Sequence, residues 1–205
     1  MIASTAKRPR TKPAEIRREE LMDAAQALFL EKGFAATSVD EIVKQADVAK
    51  GTFYLQFKTK EDVLVALRER FVATFCARLT KAMDGPPVEA WSDRLDAWIE
   101  TVVHGYLDHV ALHDLVFHEH VSSHLRIGHD DPVITQLAAL LAAGARRGAW
   151  TTKDANLSAL MLFHAVHGAV DSVIVSPKPA EREALIDGIR AFCHQALRIR
   201  SSTGR

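Results

Sequence analysis

Residues 46–64 read ADVAKGTFYLQFKTKEDVL and combine a short apolar-aromatic segment with flanking lysines. Residues 51–57 (GTFYLQF) lie between Lys50 and the pair Lys58 and Lys60, and a long helical pattern starts directly after Lys60. A helix that packs inside a core does not need flanking cations, whereas a helix that lies across a polyanion does. The stretch therefore predicts a short helix that lies across a polyanion.

Two more helices are predicted upstream of this stretch. Apolar residues spaced by three and four predict a helix over residues 14–32, and they are Ile16, Leu21, Ala24, Ala25, Leu28 and Phe29. Pro13 suits the first turn of this helix, and Gly33 suits its end. Ser38 and Glu41 match a capping box, so a short second helix is expected to start there.

The remainder of the chain is also predicted to be helical. A long helix begins after Lys60 and ends at the break formed by residues 84–87 (DGPP). Asp131 followed by Pro132 is typical of a helix start. Five helices are predicted beyond the break, over residues 88–109, 111–126, 132–147, 153–175 and 181–200. The expected fold class is all-α, with about nine helices.

Composition and charge narrow the choice of partner. The chain has 205 residues, 48% of them apolar, which is enough to build a sizeable core in one domain or two small ones. The net charge is zero, but residues 1–60 carry 11 basic and 8 acidic residues, whereas residues 61–205 carry 15 and 18. The first part is therefore the expected partner of an anion, and residues 1–13 are expected to form a basic flexible arm.

Cysteine usage and hydropathy indicate the compartment. Cys76 and Cys193 are the two cysteines, and they do not suggest a disulfide framework. The chain shows no apolar run of the length of a signal peptide or a membrane span. A soluble protein of the cytoplasm, with no membrane partner, is therefore expected.

Three short helices, the second and third joined by a tight turn at Asp47, are the parts of a helix-turn-helix. Residues 15–64 resemble the TetR family of transcriptional regulators. The resemblance rests on Leu28, Phe29, Gly33, Phe34, Thr37, Ser38, Val39, Ile42, Val43, Ala46, Asp47, Val48, Gly51, Thr52, Phe53, Tyr54, Phe57, Lys60, Glu61 and Leu64. The family usually has glycine where this chain has Asp47, and Ser or Thr where it has Ala49. Asp tolerates a left-handed turn, and a missing N-cap costs about 1 kcal/mol.

Eight residues are predicted to contact DNA: Thr37, Ser38, Lys50, Gly51, Thr52, Tyr54, Gln56 and Lys60. Hydroxyls at the start of the second helix can add hydrogen bonds where free N–H groups suit a phosphate. Glycine lets the third helix approach DNA closely, and its polar residues can reach base edges or phosphates. The resemblance implies that Tyr54 gives its hydroxyl to a phosphate, and Lys60 is expected to anchor another. The alternatives are a half-buried core tyrosine and solvated lysines.

The resemblance further implies a helical C-terminal domain that binds a small ligand and forms a homodimer. The expected domains are therefore residues 14–60 for DNA binding and residues 61–205 for ligand binding and dimerisation. The last two predicted helices carry apolar stripes that suit a four-helix bundle between two subunits, unless they face their own core. The stripes are Ala159, Leu160, Phe163, Val166 and Val170, and Leu185, Ile189, Phe192, Ala196 and Leu197.

Histidine is unusually frequent, with ten in the chain and seven between residues 104 and 129. On one helical face lie His113, Phe117, His120 and His124. Together with Trp98, Tyr106, Phe163, His164 and His167 they are the candidate lining of an organic-ligand pocket. Two other interpretations stay open: surface or interface histidines without a special role, and a metal or proton sensor completed by Asp114 or Glu119.

The predicted function is that of a one-component transcriptional regulator, a repressor that an unknown small-molecule effector releases from a palindromic double-stranded DNA operator. No enzyme activity, cofactor or bound metal is predicted. The segment HEHVSSH lacks the HExxH arrangement, and the chain has no P-loop or G-x-S-x-G motif. One alternative is a helical metal-binding protein or enzyme that uses the histidine-rich segment. Another is an architectural DNA binder without a ligand.

Overall fold

The computed structural model describes residues 13–117, 131–173 and 179–199, with side chains in the last range from residue 181. The helices in these ranges are α1 (Ala14–Lys32), α2 (Val39–Gln45), α3 (Lys50–Gln56), α4 (Lys60–Met83), α5 (Trp91–Leu107), α6 (Val110–Phe117), α7 (Pro132–Arg146), α8 (Ala155–Asp171) and α9 (Pro179–Leu197). Every regular element among the described residues is helical, which confirms the all-α prediction.

The predicted helix boundaries hold to within a few residues. The helix expected over residues 88–109 begins at Trp91, and the one expected over residues 153–175 begins at Ala155, where Asp154 is the N-cap. The predicted continuation of α6 to residue 126 lies outside the described residues. Among the helices of the described part, none is long and apolar enough to cross a membrane.

Packing divides the chain into two compact units, one ending at Arg68 and the other beginning at Glu69. The division falls inside α4, whereas the sequence placed the domain boundary at residue 60; the functional assignment of the domains stays a prediction. In the N-terminal unit, α1, α2 and α3 pack pairwise against one another. The core that they form includes Leu21, Ala25, Phe29, Ile42 and Phe53.

Local sequence signals account for the turns of the N-terminal unit. The Glu41 N–H donates to Ser38 Oγ (3.3 Å) and the Ser38 N–H donates to Glu41 Oε2 (2.9 Å), which confirms the predicted capping box. Asp47 has φ 50°, so it adopts the left-handed turn conformation that the resemblance requires. Ala49 gives α3 no side-chain cap. The short α3 therefore depends on packing for its position.

The core of the C-terminal unit includes Trp98, Ile99, Leu137, Leu141 and Ile186. Packing explains why a glycine, Gly144, lies inside α7. A Cβ at Gly144 would lie 2.1 Å from the Trp150 ring, because the indole crosses the helix at this point. The Trp150 Nε1–H donates to the Leu141 carbonyl oxygen at 2.7 Å and fixes the ring in this place.

The apolar stripes predicted for the dimer face are largely buried within this chain. Five of the stripe residues belong to the core of the C-terminal unit: Ala159, Val166, Val170, Ile189 and Leu197. Val166 and Ile189 also line an apolar groove on α8 and α9, so the role of these helices in a subunit interface stays a prediction. Leu160, Phe163 and Leu185 pack partly against the same core, whereas Phe192 is exposed. Spacing alone does not tell an inner face from an outer one, because α8 and α9 carry apolar residues on more than one face.

Candidate functional site

Two buried phenylalanines hold α3 on the N-terminal unit. Phe53 and Phe57 are one helical turn apart and both are buried, as expected for packing residues. The Arg18 guanidinium lies 4.3 Å from the centre of the Phe57 ring, and its Nη1 donates to the Gln56 carbonyl oxygen at 3.3 Å. These contacts fix which face of α3 turns outward. The predicted segment is therefore a surface helix and not a core helix.

The outward face of α3 carries Lys50, Gly51, Tyr54 and Leu55. Tyr54 is 54% exposed and rests its ring edge-on against Phe53, with 5.4 Å between the ring centres. Lys50 Nζ lies 2.7 Å from Asp40 Oδ1, and this hydrogen bond raises the pKa of the lysine. A cation and a phenol hydroxyl thus stand side by side on an exposed helix, where a phosphate can reach both.

Gly51 has no structural reason to be glycine. A Cβ added there would meet nothing within 4 Å, and its backbone does not need a left-handed conformation. Glycine inside a helix costs roughly 0.5–1 kcal/mol relative to alanine. The unit itself therefore leaves room for a side chain at this position, and the close approach to DNA expected from the sequence stays a prediction.

Lys60 does not project freely from the surface. Its ammonium group donates to the carbonyl oxygens of Phe34 (2.6 Å), Thr37 (2.8 Å) and Ala35 (3.4 Å). It also lies 4.4 Å from the centre of the Phe34 ring. An ammonium group has three N–H donors, so these three carbonyl oxygens accept all the hydrogen bonds that it can donate. The structure thus places Lys60 as a clamp on the loop between α1 and α2, and not as an open phosphate anchor.

Thr37 and Ser38 differ in their exposure at the start of α2. Thr37 is 3% exposed and its hydroxyl donates to the Gly33 carbonyl oxygen at 2.9 Å, so the structure places it inside the unit. Ser38 is exposed, and its hydroxyl donates to Glu41 Oε2 at 2.7 Å. Hydrogen bonds from Lys32 and then from Ser38 lower the pKa of Glu41 to about 2. A carboxylate therefore already occupies this helix start.

Thr52 and Gln56 are half-buried and lie at the edges of the outward face of α3. Sequence reasoning missed Leu55, which is 83% exposed at the centre of this face. The sequence contains a signal for this exposure, because on a helix a residue two positions from both Phe53 and Phe57 points about 200° away from these buried side chains. Five predicted residues therefore lie on or beside one exposed surface: Lys50, Gly51, Thr52, Tyr54 and Gln56.

The C-terminal unit contains an apolar cavity of about 50 Å³. Five of the predicted ligand residues line it: Tyr106, His113, Phe117, Phe163 and His167. Sequence reasoning missed Phe71, Val72 and Phe75 of α4, which follow the helical spacing but carry no signal of the cavity that they face. The cavity is far smaller than the several hundred Å³ of a typical ligand pocket, so its size does not argue against the architectural DNA binder.

Three polar rings meet at this cavity. The Tyr106 ring lies 4.1 Å from His113 and 5.0 Å from His167, and the two imidazoles are 5.4 Å apart, centre to centre. The Tyr106 hydroxyl donates to Asp171 Oδ1 at 2.6 Å. Burial, and next this hydrogen bond, raise the pKa of Tyr106, so the phenol stays neutral. The cluster thus places hydrogen-bonding rings beside the Asp171 carboxylate.

Two predicted ligand residues, Trp98 and His164, are described but do not line the cavity. Trp98 is buried in the core, and His164 is exposed. His120 and His124 lie outside the described residues. The described part of the chain has no cluster of three or more His, Cys, Asp or Glu residues suited to a metal ion. Nothing in this part of the chain supports the metal-site alternative.

Comparison with known proteins gives two family matches. A family model described as "Bacterial regulatory proteins, tetR family" matches residues 21–67. A second, described as "Tetracyclin repressor-like, C-terminal domain", matches residues 90–197, which is more than half of the chain. The two matched segments cover the helix-turn-helix and most of the unit that contains the cavity.

Individual relatives match over part of their length. The HTH-type transcriptional repressor NemR of Escherichia coli (strain K12) is 33% identical over 92 residues, which are 45% of this chain and 46% of that protein. The chain thus matches less than half the length of this curated relative. The fatty acid degradation regulator FadR from Bacillus halodurans superimposes with a TM-score of 0.72 at 23% identity, covering 93% of this chain and 100% of that chain.

A second solved structure was determined with a ligand. It is the transcriptional regulator FadR from Bacillus subtilis in complex with stearoyl-CoA, with a TM-score of 0.69 and 23% identity. The alignment covers 85% of this chain and 96% of that chain. At this identity the two structures share a fold, and the fold alone is what the likeness shows.

Proposed function

Because the chain belongs to the TetR family, we propose that it is a transcriptional repressor that binds an operator in double-stranded DNA. The observation that carries the proposal is the outward face of α3, where Lys50, Gly51 and Tyr54 are presented by a helix fixed on Phe53 and Phe57. A helix of this kind, second in a helix-turn-helix, enters the major groove. The fold gains nothing from the open glycine, and it leaves more than half of Tyr54 exposed although the ring packs on Phe53.

Different residues make the contacts to phosphates and the contacts to base edges. Lys50 and the Tyr54 hydroxyl contact phosphates, which supply most of the affinity and make it dependent on salt. Thr52 and Gln56, at the edges of the face, reach base edges. Thr37 and Lys60 support the surface from behind, because their donors are used by carbonyl oxygens of the same unit.

A second copy of the chain completes the reading of a palindromic operator. Exposed apolar side chains on α8 and α9, including Leu157, Met161 and Phe192, give a second copy a surface to cover. Two subunits related by a two-fold axis place their α3 helices one helical turn of DNA apart, or a multiple of it. Because the operator is part of the chromosome, the protein acts in the cytoplasm.

The cavity of the C-terminal unit is the proposed effector site. Among the described residues that line it, aromatic and aliphatic side chains dominate, no lysine or arginine is present, and Asp131 supplies one carboxylate. An uncharged aromatic or aliphatic compound with one hydrogen-bonding group fits this lining, with that group at His113 and His167. A compound larger than a few heavy atoms must displace ring side chains such as Phe71 and Phe117.

Release from DNA requires that the effector distinguish two states of the dimer. A ligand shifts the equilibrium only by its differential affinity for the two states. A tenfold loss of operator affinity needs about 1.4 kcal/mol of coupling. α4 begins at Lys60 and supplies Phe71 and Phe75 to the cavity, so one continuous helix is the element through which both functions can be coupled.

The test starts with selection of bound duplexes from a random pool, followed by titration of the selected site. We expect specific binding that weakens steeply with salt, and a loss of at least tenfold for Tyr54→Ala. The matched control is Leu30→Ala, which removes an exposed apolar side chain of the same unit far along the sequence from α3. Failure to select any sequence would overturn the proposal, as would a Tyr54→Ala variant that binds like the wild type.

A second experiment addresses the effector site. Neutral aromatic compounds are screened for a rise in melting temperature, because a ligand at 100 times its Kd stabilises the folded state by about 2.7 kcal/mol. Compounds that bind are then tested for release of the selected DNA. Val170→Phe, which fills the cavity, is expected to abolish ligand binding and to keep DNA binding. A ligand whose affinity is the same for this variant binds elsewhere.

A further inference from the structure

Leu55 is the most exposed large apolar side chain among the described residues, at 83%. It lies at the centre of the outward face of α3, between two buried contacts of the same helix, Phe53 and Phe57. The fold does not require leucine here, because lysine or glutamine would support a helix almost equally well. Single exposed apolar side chains are common on protein surfaces, so the position of Leu55 at the centre of the proposed DNA-binding face, and not its exposure alone, carries the argument.

The surroundings of Leu55 define what it can contact. Gly51 lies one helical turn earlier on the same face and contributes no side chain, so the approach to Leu55 is open. Lys50, Tyr54 and Lys58 are exposed around it. The surface is thus an apolar spot inside a cationic and hydrogen-bonding rim, which suits a polyanion that carries an apolar group within its groove.

Duplex DNA has one such group. In the major groove the base edges present hydrogen-bond donors and acceptors, and the C5-methyl group of thymine is the apolar feature among them. Leucine cannot hydrogen-bond to a base edge, so a methyl group is the partner that it can recognise favourably. A direct contact buries both groups from water, which favours binding in proportion to the apolar area.

We propose that Leu55 reads a thymine in each operator half-site through contact with its C5-methyl group. The inference rests on the proposed function, since it needs α3 to lie in the major groove. It assigns sequence specificity to a residue that makes no polar contact, whereas Lys50 and Tyr54 contribute affinity through phosphates. Changing Leu55 is therefore expected to relax the choice of base at one position of the half-site.

The experiment removes the methyl group and nothing else. Each thymine of the selected operator is replaced in turn by deoxyuridine, and the wild type and Leu55→Ala are titrated against every duplex. For the wild type we expect one position per half-site where the replacement weakens binding about fourfold, the equivalent of burying one methyl group. Leu55→Ala should bind the thymine and deoxyuridine duplexes equally at that position.

The controls separate this inference from the proposed function. Leu30→Ala should keep the full fourfold effect, and alanine at position 55 does not threaten the fold because it is the best helix former. If the wild type binds no duplex selectively, the proposed function fails and this inference with it. If the wild type binds but no deoxyuridine replacement matters, or if Leu55→Ala keeps the effect, the repressor proposal stands and the methyl contact is refuted.

Discussion

Replacing Lys60 with alanine is expected to destabilise the N-terminal unit, and the loss of DNA binding should follow from that. The ammonium group ties the start of α4 to the loop between α1 and α2 through the carbonyl oxygens of Phe34 and Thr37, at 2.6 and 2.8 Å. Phe34 and Thr37 are buried, so water replaces the ammonium poorly when the lysine is removed. The carbonyl groups then lose partners that they cannot easily recover.

The size of the effect follows from the contacts. A hydrogen bond to a charged group contributes about 1.5–3 kcal/mol when buried, and partial exposure of Lys60 reduces the value. The cation over the Phe34 ring adds about 0.5–1 kcal/mol. We therefore expect the free energy of opening of the N-terminal unit to fall by about 2 kcal/mol, which raises its open population about thirtyfold.

Hydrogen exchange followed by mass spectrometry measures this opening directly. Peptides from α1 to α3 should exchange about thirtyfold faster in Lys60→Ala, while peptides from α7 and α8 exchange at the wild-type rate. The matched control is Lys58→Ala, two residues earlier and exposed, which should leave exchange unchanged. If Lys60→Ala loses operator binding with wild-type exchange in α1 to α3, the clamp is refuted and the phosphate anchor expected from the sequence is restored.

Three further predictions concern single groups. Gly51→Ala should stabilise the protein by roughly 0.5 kcal/mol in urea unfolding and weaken operator binding, because its Cβ meets nothing in the unit but enters the DNA approach. Gly144→Ala should instead lower the free energy of unfolding by about 1–3 kcal/mol, and with it the melting temperature, because its Cβ clashes with Trp150. The folded pKa of Glu41 is about 2, below its ordinary 4.5, so its stabilising effect is complete above pH 4.5 and lost as the pH falls towards 2. Glu41→Gln should therefore show a weaker acid dependence of unfolding over this window, and identical acid curves would contradict the role given to its hydrogen bonds.

Local chemistry made the N-terminal unit predictable. The capping box at Ser38 and the turn at Asp47 involve residues a few positions apart, so the sequence contains all the information that fixes them. The clamp of Lys60 was not predictable in the same way. Its carbonyl partners lie more than 20 residues away, and backbone carbonyl groups leave no trace in the amino-acid sequence.

The lining of the cavity was also predictable only in part from the sequence. Periodicity placed His113 and Phe117 on one face of α6, and the structure brings both to the cavity. Their meeting with His167 of α8 depends on how two helices cross, which spacing along one helix does not determine. The apolar stripes of α8 and α9 are ambiguous for a related reason, since Val166 and Ile189 satisfy a helical pattern whether they face their own core or a second subunit.

The ion pair between Lys50 and Asp40 bears on how the protein searches a genome. Any duplex, whatever its sequence, must compete with the Asp40 carboxylate 2.7 Å away before it gains the Lys50 cation. Random sites offer phosphate contacts alone. A lysine that stays paired with its own carboxylate releases no counterion from the DNA, so the affinity for these sites falls. Under the proposed contact of Lys50 with phosphate, Asp40 therefore lowers the affinity for random sites, which have no base contacts to compensate for the loss.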